Sequence, residues 1–144
     1  MALPPKISGP IKGMSSTKST SAMSHGECMS YLMACSMQVH IYHLRAKGSG
    51  AYAAHMALGS LYDALPDMVD SLAESMQGKY GLLNYDYSTS FDSNYANALP
   101  YVKKCLAYVE SERKSFPQDT YIQNQIDEIV ALFYSTIYKL ENLQ

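Results

Sequence analysis

The chain has 144 residues, 47% of them hydrophobic, and a formal net charge of −2. This length suffices for one domain with a buried core and is too short for two. No apolar run approaches the ~20 residues that cross a bilayer, which argues against a membrane protein. No apolar segment follows the N-terminal lysines, so no signal peptide is predicted. We therefore expect a cytoplasmic protein, or, if the chain is viral, one of the host cytoplasm or the virion.

Residues 1–23 are rich in Pro, Gly, Ser, Thr and Lys and bury too little apolar surface to fold alone. They hold Lys6, Lys12 and Lys18 and no acidic residue, which leaves eight basic and 13 acidic residues in the remainder. The sequence thus predicts a flexible basic arm followed by an acidic helical domain over residues 24–144.

The first helix is predicted to begin at Ser24, because Ser24 and Glu27 have the spacing of a capping box. A glycine-rich turn at residues 48–50 ends it. Its predicted inward positions recur at helical spacing: Cys28, Leu32, Cys35, Val39, Tyr42 and Ala46.

The second helix is predicted from Ala51 to about Gln77, with Gly78 as its C-terminal stop. Pro66 lies inside it, so we expect a kink or a short break near residues 62–65. Its predicted inward face comprises Leu58, Leu61, Leu65, Val69, Leu72 and Met76.

Residues 79–91 lack periodicity and have the length of a crossover between two parallel helices. Two further helices are predicted over residues 98–114 and 118–143, separated by a break at Phe116 and Pro117. Their predicted core positions are Val102, Leu106 and Val109, then Ile122, Ile126, Ile129, Phe133, Ile137 and Leu140. This layout predicts an all-α, ferritin-like four-helix bundle with a long crossover between its second and third helices.

The three cysteines, Cys28, Cys35 and Cys105, have no metal-binding or disulfide spacing. Because Cys28 and Cys35 lie two helical turns apart, both should face the same core. We expect buried, reduced thiols.

Histidines and carboxylates form the candidate site. His43 ends the first helix and His55 lies in the first turn of the second, so an antiparallel pairing lets their rings approach. Asp70 and Glu74 share a face further along the second helix. Imidazole and carboxylate together suit iron, zinc or manganese.

One subunit cannot bring all four ligands to one metal ion, since His55 and Asp70 lie roughly 22 Å apart at 1.5 Å of rise per residue. A twofold axis near residues 62–65, which lays two copies of the second helix antiparallel, would bring them together. Two equivalent sites per dimer would follow.

A plainer interpretation stays open. All four acidic residues of the second helix, Asp63, Asp67, Asp70 and Glu74, lie on one face opposite the leucines, and an ordinary solvated acidic face would look the same. If the face binds metal, Asp63 and Asp67 are accessory ligands. His25 and His40 are expected to be surface or capping residues.

The spacing resembles that of Dps, the DNA-binding proteins from starved cells, or mini-ferritins. That family has two histidines separated by eleven residues, a carboxylate four positions later, and an Asp-x-x-x-Glu pair eleven beyond it. His43, His55, Asp70 and Glu74 occupy four of these five positions, and Asp70-Ser-Leu-Ala-Glu74 resembles the family's Asp-x-x-Ala-Glu signature. The motif similarity spans about residues 36–80, and the rest of the chain agrees only in helix layout and in the lysine-bearing tail.

The resemblance implies a homododecameric shell, intersubunit oxidation of iron (Fe²⁺ to Fe³⁺) by peroxide or oxygen, iron storage, and DNA binding through Lys6, Lys12 and Lys18. Two positions depart from the pattern. Gly59 stands where the family has its bridging carboxylate, and Leu44 where an aromatic residue commonly follows the first histidine. The alternative is a shell or scaffold that kept the architecture and lost the metal chemistry, and that coats DNA or belongs to a viral particle. A separate alternative is that the lysine arm serves only solubility.

Overall fold

The computed structural model describes residues 24–85 and 89–143, which form four α-helices and no β-strand. The helices are α1 (His25–Arg45), α2 (Ala51–Tyr80), α3 (Leu99–Glu112) and α4 (Thr120–Asn142). The predicted all-α, four-helix fold is confirmed. None of these helices is long and apolar enough to cross a membrane. The predicted arm, with Lys6, Lys12 and Lys18, lies outside the described residues.

α1 begins with the predicted capping box. The Ser24 hydroxyl accepts from the Glu27 backbone N–H at 3.2 Å, and the Glu27 carboxylate accepts from the Ser24 N–H at 2.5 Å. Two N–H groups that lack a partner within the helix are thereby satisfied.

α2 differs from its prediction in two ways. It is continuous through Pro66, so the helix is not broken near residues 62–65, where we expected a kink or a short break, and it passes Gly78 to end at Tyr80. Its stop is Gly81, whose φ of 91° is a left-handed value that glycine adopts without strain.

A hydroxyl on α1 explains why α2 tolerates its proline. Pro66 has no N–H, so the Tyr62 carbonyl one turn earlier loses its helical donor. The buried Ser36 hydroxyl donates to that carbonyl at 3.0 Å. The hydrogen bond lost within α2 is thus replaced by one from α1.

The segment between α2 and α3 has about the predicted length, and its described residues, 81–85 and 89–98, contain no helix. Hydrogen bonds from α1 hold this segment at Asp92. The buried Gln38 side chain bonds both the N–H and the carbonyl of Asp92, and the Tyr42 hydroxyl donates to its carboxylate at 2.9 Å. The last two helices are shorter than predicted, starting at Leu99 and Thr120.

Each predicted apolar face is buried, except that Ala46 and Leu140 are only half-buried. α1 packs on α2 and α3, and α4 packs on α2 and α3. Three of these helix pairs are antiparallel, because early positions on one helix contact late positions on the other. The contacts are Ser36–Tyr62 and His43–His55 for α1 with α2, Tyr31–Tyr108 and Tyr42–Tyr101 for α1 with α3, and Ser75–Gln125 and Lys79–Asp119 for α2 with α4.

Replacing Ser36 with alanine should lower the free energy of unfolding by about 1–2 kcal/mol, because the Tyr62 carbonyl loses its donor. Urea denaturation measures this. Ser60→Ala is the matched control, since its exposed hydroxyl bonds only the Met56 carbonyl of its own helix. In a Pro66→Ala background, an N–H is restored to α2 and Ser36→Ala should cost less. An equal cost in both backgrounds would contradict this account of the proline.

Candidate metal-binding site

His43 and His55 meet where α1 ends and α2 begins. Their ring centroids lie 3.6 Å apart with an interplanar angle of 22°, so the rings are stacked. The predicted approach of these two rings is confirmed. The Gly48–Gly50 turn makes it possible, because φ values of 92° and 74° at its two glycines reverse the chain within a few residues.

Reciprocal hydrogen bonds hold the two rings. His43 Nδ1 lies 2.7 Å from the His55 carbonyl oxygen, and His55 Nδ1 lies 3.0 Å from that of His43. A carbonyl oxygen only accepts, so both Nδ1 atoms carry the proton, and in the neutral ring each Nε2 carries the lone pair. Metal-ligating histidines are commonly oriented by such a bond from their second nitrogen.

Position 59 faces this pair. A Cβ added to Gly59 would lie 3.2 Å from Cε1 and 3.3 Å from Nδ1 of His43, tighter than most Cβ contacts. A carboxylate here would require the His43 ring to move. The absence of a side chain at Gly59 therefore lets the His43 ring pack in its stack with His55. In the Dps pattern a metal-bridging acid stands at this position.

The carboxylates of α2 lie apart from the histidines. Asp63, Asp67, Asp70 and Glu74 are all exposed. Across residues 24–85 and 89–143, no three His, Cys, Asp or Glu side chains of one chain are grouped so as to hold a metal ion. A single subunit therefore brings His43 and His55 together without Asp70 or Glu74.

The remaining histidines have different surroundings. His40 is exposed and stacks on Tyr62, with centroids 3.9 Å apart, and Tyr62 also meets the edge of His43. His25 is half-buried, and its Nε2 lies 2.9 Å from the Ser115 carbonyl oxygen. His25 thus joins the start of α1 to the α3–α4 turn. Because Ser115 lies 90 residues from His25 in the sequence, local patterns could not predict this contact.

Sequence reasoning missed an apolar surface on the helices that carry the histidines. We call it the methionine face: Met33, Met37, Leu44, Tyr52 and Met56, each between 43% and 78% exposed. Their helical spacing of four and seven along α1 and four along α2 was the available signal.

Alanine at Gly59 should stabilise the protein less than alanine at Gly78. Replacing a helical glycine usually gains about 0.5–1 kcal/mol, and a Cβ at Gly78 meets nothing within 4 Å. At Gly59 the new methyl presses on His43, so we expect no gain or a loss in urea denaturation. In a His43→Ala background the gain at position 59 should return. Equal gains at both glycines in the parent would contradict the packing described here.

Comparison with known proteins gives a family and no activity. Residues 43–140 match a group described as "Family of unknown function (DUF5856)". No curated protein and no solved structure matches the chain significantly. The matched range begins at His43 and includes His55, Gly59, Asp70 and Glu74, so the candidate site falls within it. The chain belongs to the DUF5856 family.

Proposed function

We propose that this protein is a Dps-like, shell-forming protein that binds iron at sites shared between two subunits. The observation that carries the proposal is the His43–His55 pair, in which both Nδ1 atoms are tied to backbone carbonyls. Two imidazoles with a fixed tautomer and orientation, each with an Nε2 lone pair, are ready for a transition metal.

The helix directions support a ferritin-like topology. α2 and α3 are both antiparallel to α1, so they run parallel to each other without being in contact, and two successive parallel helices need a connection that returns along the bundle. Residues 81–98 supply its length. Four-helix bundles with one such crossover include the ferritin-like proteins.

The exposed surface supports assembly through α1 and α2. A twofold axis near residues 62–65 would set His43 and His55 of one subunit against Asp70 and Glu74 of the other. The methionine face lies on the same two helices and would be covered in such a dimer. Large exposed apolar side chains are typical of protein interfaces, where methionine and aromatic residues are enriched.

Iron is the substrate in this proposal. His43 and His55 would supply neutral nitrogen ligands, and Asp70 and Glu74 anionic oxygens, with Asp63 and Asp67 as accessory carboxylates on the approach. Fe²⁺ bound there would lose one electron to peroxide or oxygen and be stored as Fe³⁺ inside a shell of twelve subunits. Zinc and manganese suit the same ligand types.

A scaffold without metal chemistry is the second candidate. Gly59 favours it, because the bridging carboxylate is absent and a side chain at this position would require the His43 ring to shift. Such a protein would form the same shell, coating DNA or belonging to a virion.

Anaerobic titration with Fe²⁺ tests the proposal, followed by peroxide to detect ferric absorbance. The parent should bind about one ion per subunit, and His55→Ala should weaken binding by roughly tenfold or more. His25→Gln is the matched control, since His25 lies at the opposite end of α1 from His43 and bonds the Ser115 carbonyl. A parent that binds no iron would favour the scaffold. Equal binding by His55→Ala would reject the assigned ligands.

We further propose that the lysine arm binds DNA when displayed many times on one shell. Lys6, Lys12 and Lys18 give three positive charges per subunit, and each later contact becomes intramolecular. Binding should ignore sequence and fall steeply with salt.

Deleting residues 1–22 should therefore abolish DNA retardation at low salt and leave the oligomer intact by light scattering. A full-length chain with the three lysines changed to glutamine should behave like the deletion. If the truncated protein retards DNA as well as the parent does, the arm has another role.

A further inference from the structure

Two buried cysteines from different helices lie in contact. Cys35 on α1 and Cys105 on α3 are fully buried, and the Cys35 thiol donates to the Cys105 sulfur with the two Sγ atoms 2.8 Å apart. A disulfide has an S–S bond of about 2.05 Å, so the sulfurs need to approach by only about 0.8 Å to be joined. These two thiols suffice to form a disulfide. The third cysteine, Cys28, makes no sulfur–sulfur contact among the contacts described.

The surroundings of the two thiols give them different properties. The pKa of Cys105 is lowered by the hydrogen bond from Cys35, with further hydroxyl donation from Tyr31 and Tyr101. Burial raises the pKa of Cys35. Cys105 is thus the better nucleophile of the pair, and Cys35 is the thiol that holds its proton.

A surface cavity of about 560 Å³ approaches the pair from the side of the α2–α3 segment. Tyr31 and Tyr101 line it, together with Tyr42 and Lys104. Tyr31 and Tyr101 thus contact both the cavity and the Cys105 sulfur. Hydrogen peroxide in the cavity would reach Cys105, which is itself buried, when these two side chains move aside.

We propose that Cys35 and Cys105 form a peroxide-oxidised thiol pair that closes a disulfide between α1 and α3. Cys105 thiolate attacks one oxygen of hydrogen peroxide, the O–O bond breaks, and the departing hydroxide takes a proton to become water. The resulting Cys105 sulfenic acid is attacked by Cys35, so that the S–S bond forms and a second water leaves. Two thiols have then lost two electrons to the peroxide. A dithiol reductant reverses the change.

The disulfide would fasten α3 to α1. It would close a loop of about 70 residues, and loops of this size restrict the unfolded chain strongly, so that Tm should rise by roughly 10 °C on oxidation. The pair lies between α1 and α3, while the histidines lie between α1 and α2. Formation of the Cys35–Cys105 disulfide is therefore independent of whether the protein binds iron.

Peroxide treatment of the full-length parent tests this without any substitution. After quenching, the protein is unfolded in acid, alkylated and analysed by mass spectrometry with peptide mapping. The reduced chain should take three alkyl groups, one for each cysteine, and the oxidised chain one, at Cys28. The two cysteines that were not alkylated should be found as disulfide-linked Cys35 and Cys105 peptides of one chain. Dithiothreitol should return both to free thiols.

Cys28→Ala is the matched control, since it removes a buried thiol outside the pair and should form the same disulfide. Cys35→Ala should leave Cys105 as a sulfenic acid that a dimedone-type probe captures. Three alkyl groups on the peroxide-treated parent would overturn the proposal. So would a disulfide between chains, or irreversible oxidation of Cys105 with Cys35 still free.

Discussion

The close antiparallel pairing of α1 with α2 is the constraint on which the candidate site depends. At its connected end, each of two histidine rings donates to the other's backbone carbonyl, and a glycine on α2 leaves room for the stack. Further along, the Ser36 hydroxyl replaces the helical donor that Pro66 lacks. These polar contacts fix the register of the two helices more narrowly than leucine packing alone, because each requires a particular pair of atoms to meet.

The same pairing determines what faces outward. With the leucines of α2 directed into the core, its acidic side chains and the methionine face are left exposed on the helices that carry the histidine stack. A helix places His55 and Asp70 about 22 Å apart, so a metal centre using both needs two subunits. α1 also carries Cys35, whose thiol contacts Cys105 of α3. The proposed metal site and the proposed thiol pair would thus share this helix.

Periodicity in the sequence was enough to predict four helices and their inward residues, since burial repeats at the spacing of a helix. The approach of His43 and His55 was also predictable, because only a short glycine turn separates them. The continuity of α2 through Pro66 was not predictable, because the hydroxyl that donates to the Tyr62 carbonyl lies on α1. The Cys35–Cys105 contact joins residues 70 positions apart, and the role of Gly59 depends on where the His43 ring packs. Such facts belong to tertiary contacts that local patterns do not contain.

Subunit complementation tests the central claim, a metal site shared between subunits, most directly. One variant lacks both histidines (His43→Ala, His55→Ala) and the other both carboxylates (Asp70→Ala, Glu74→Ala). Each alone should bind no Fe²⁺. Co-expressed mixed shells, isolated with two affinity tags, should regain binding, because each dimer that pairs the two variants has one intact site of its two. That site would combine the histidines of one chain with the carboxylates of the other. Mixed shells that bind no more iron than either variant alone would contradict the shared site.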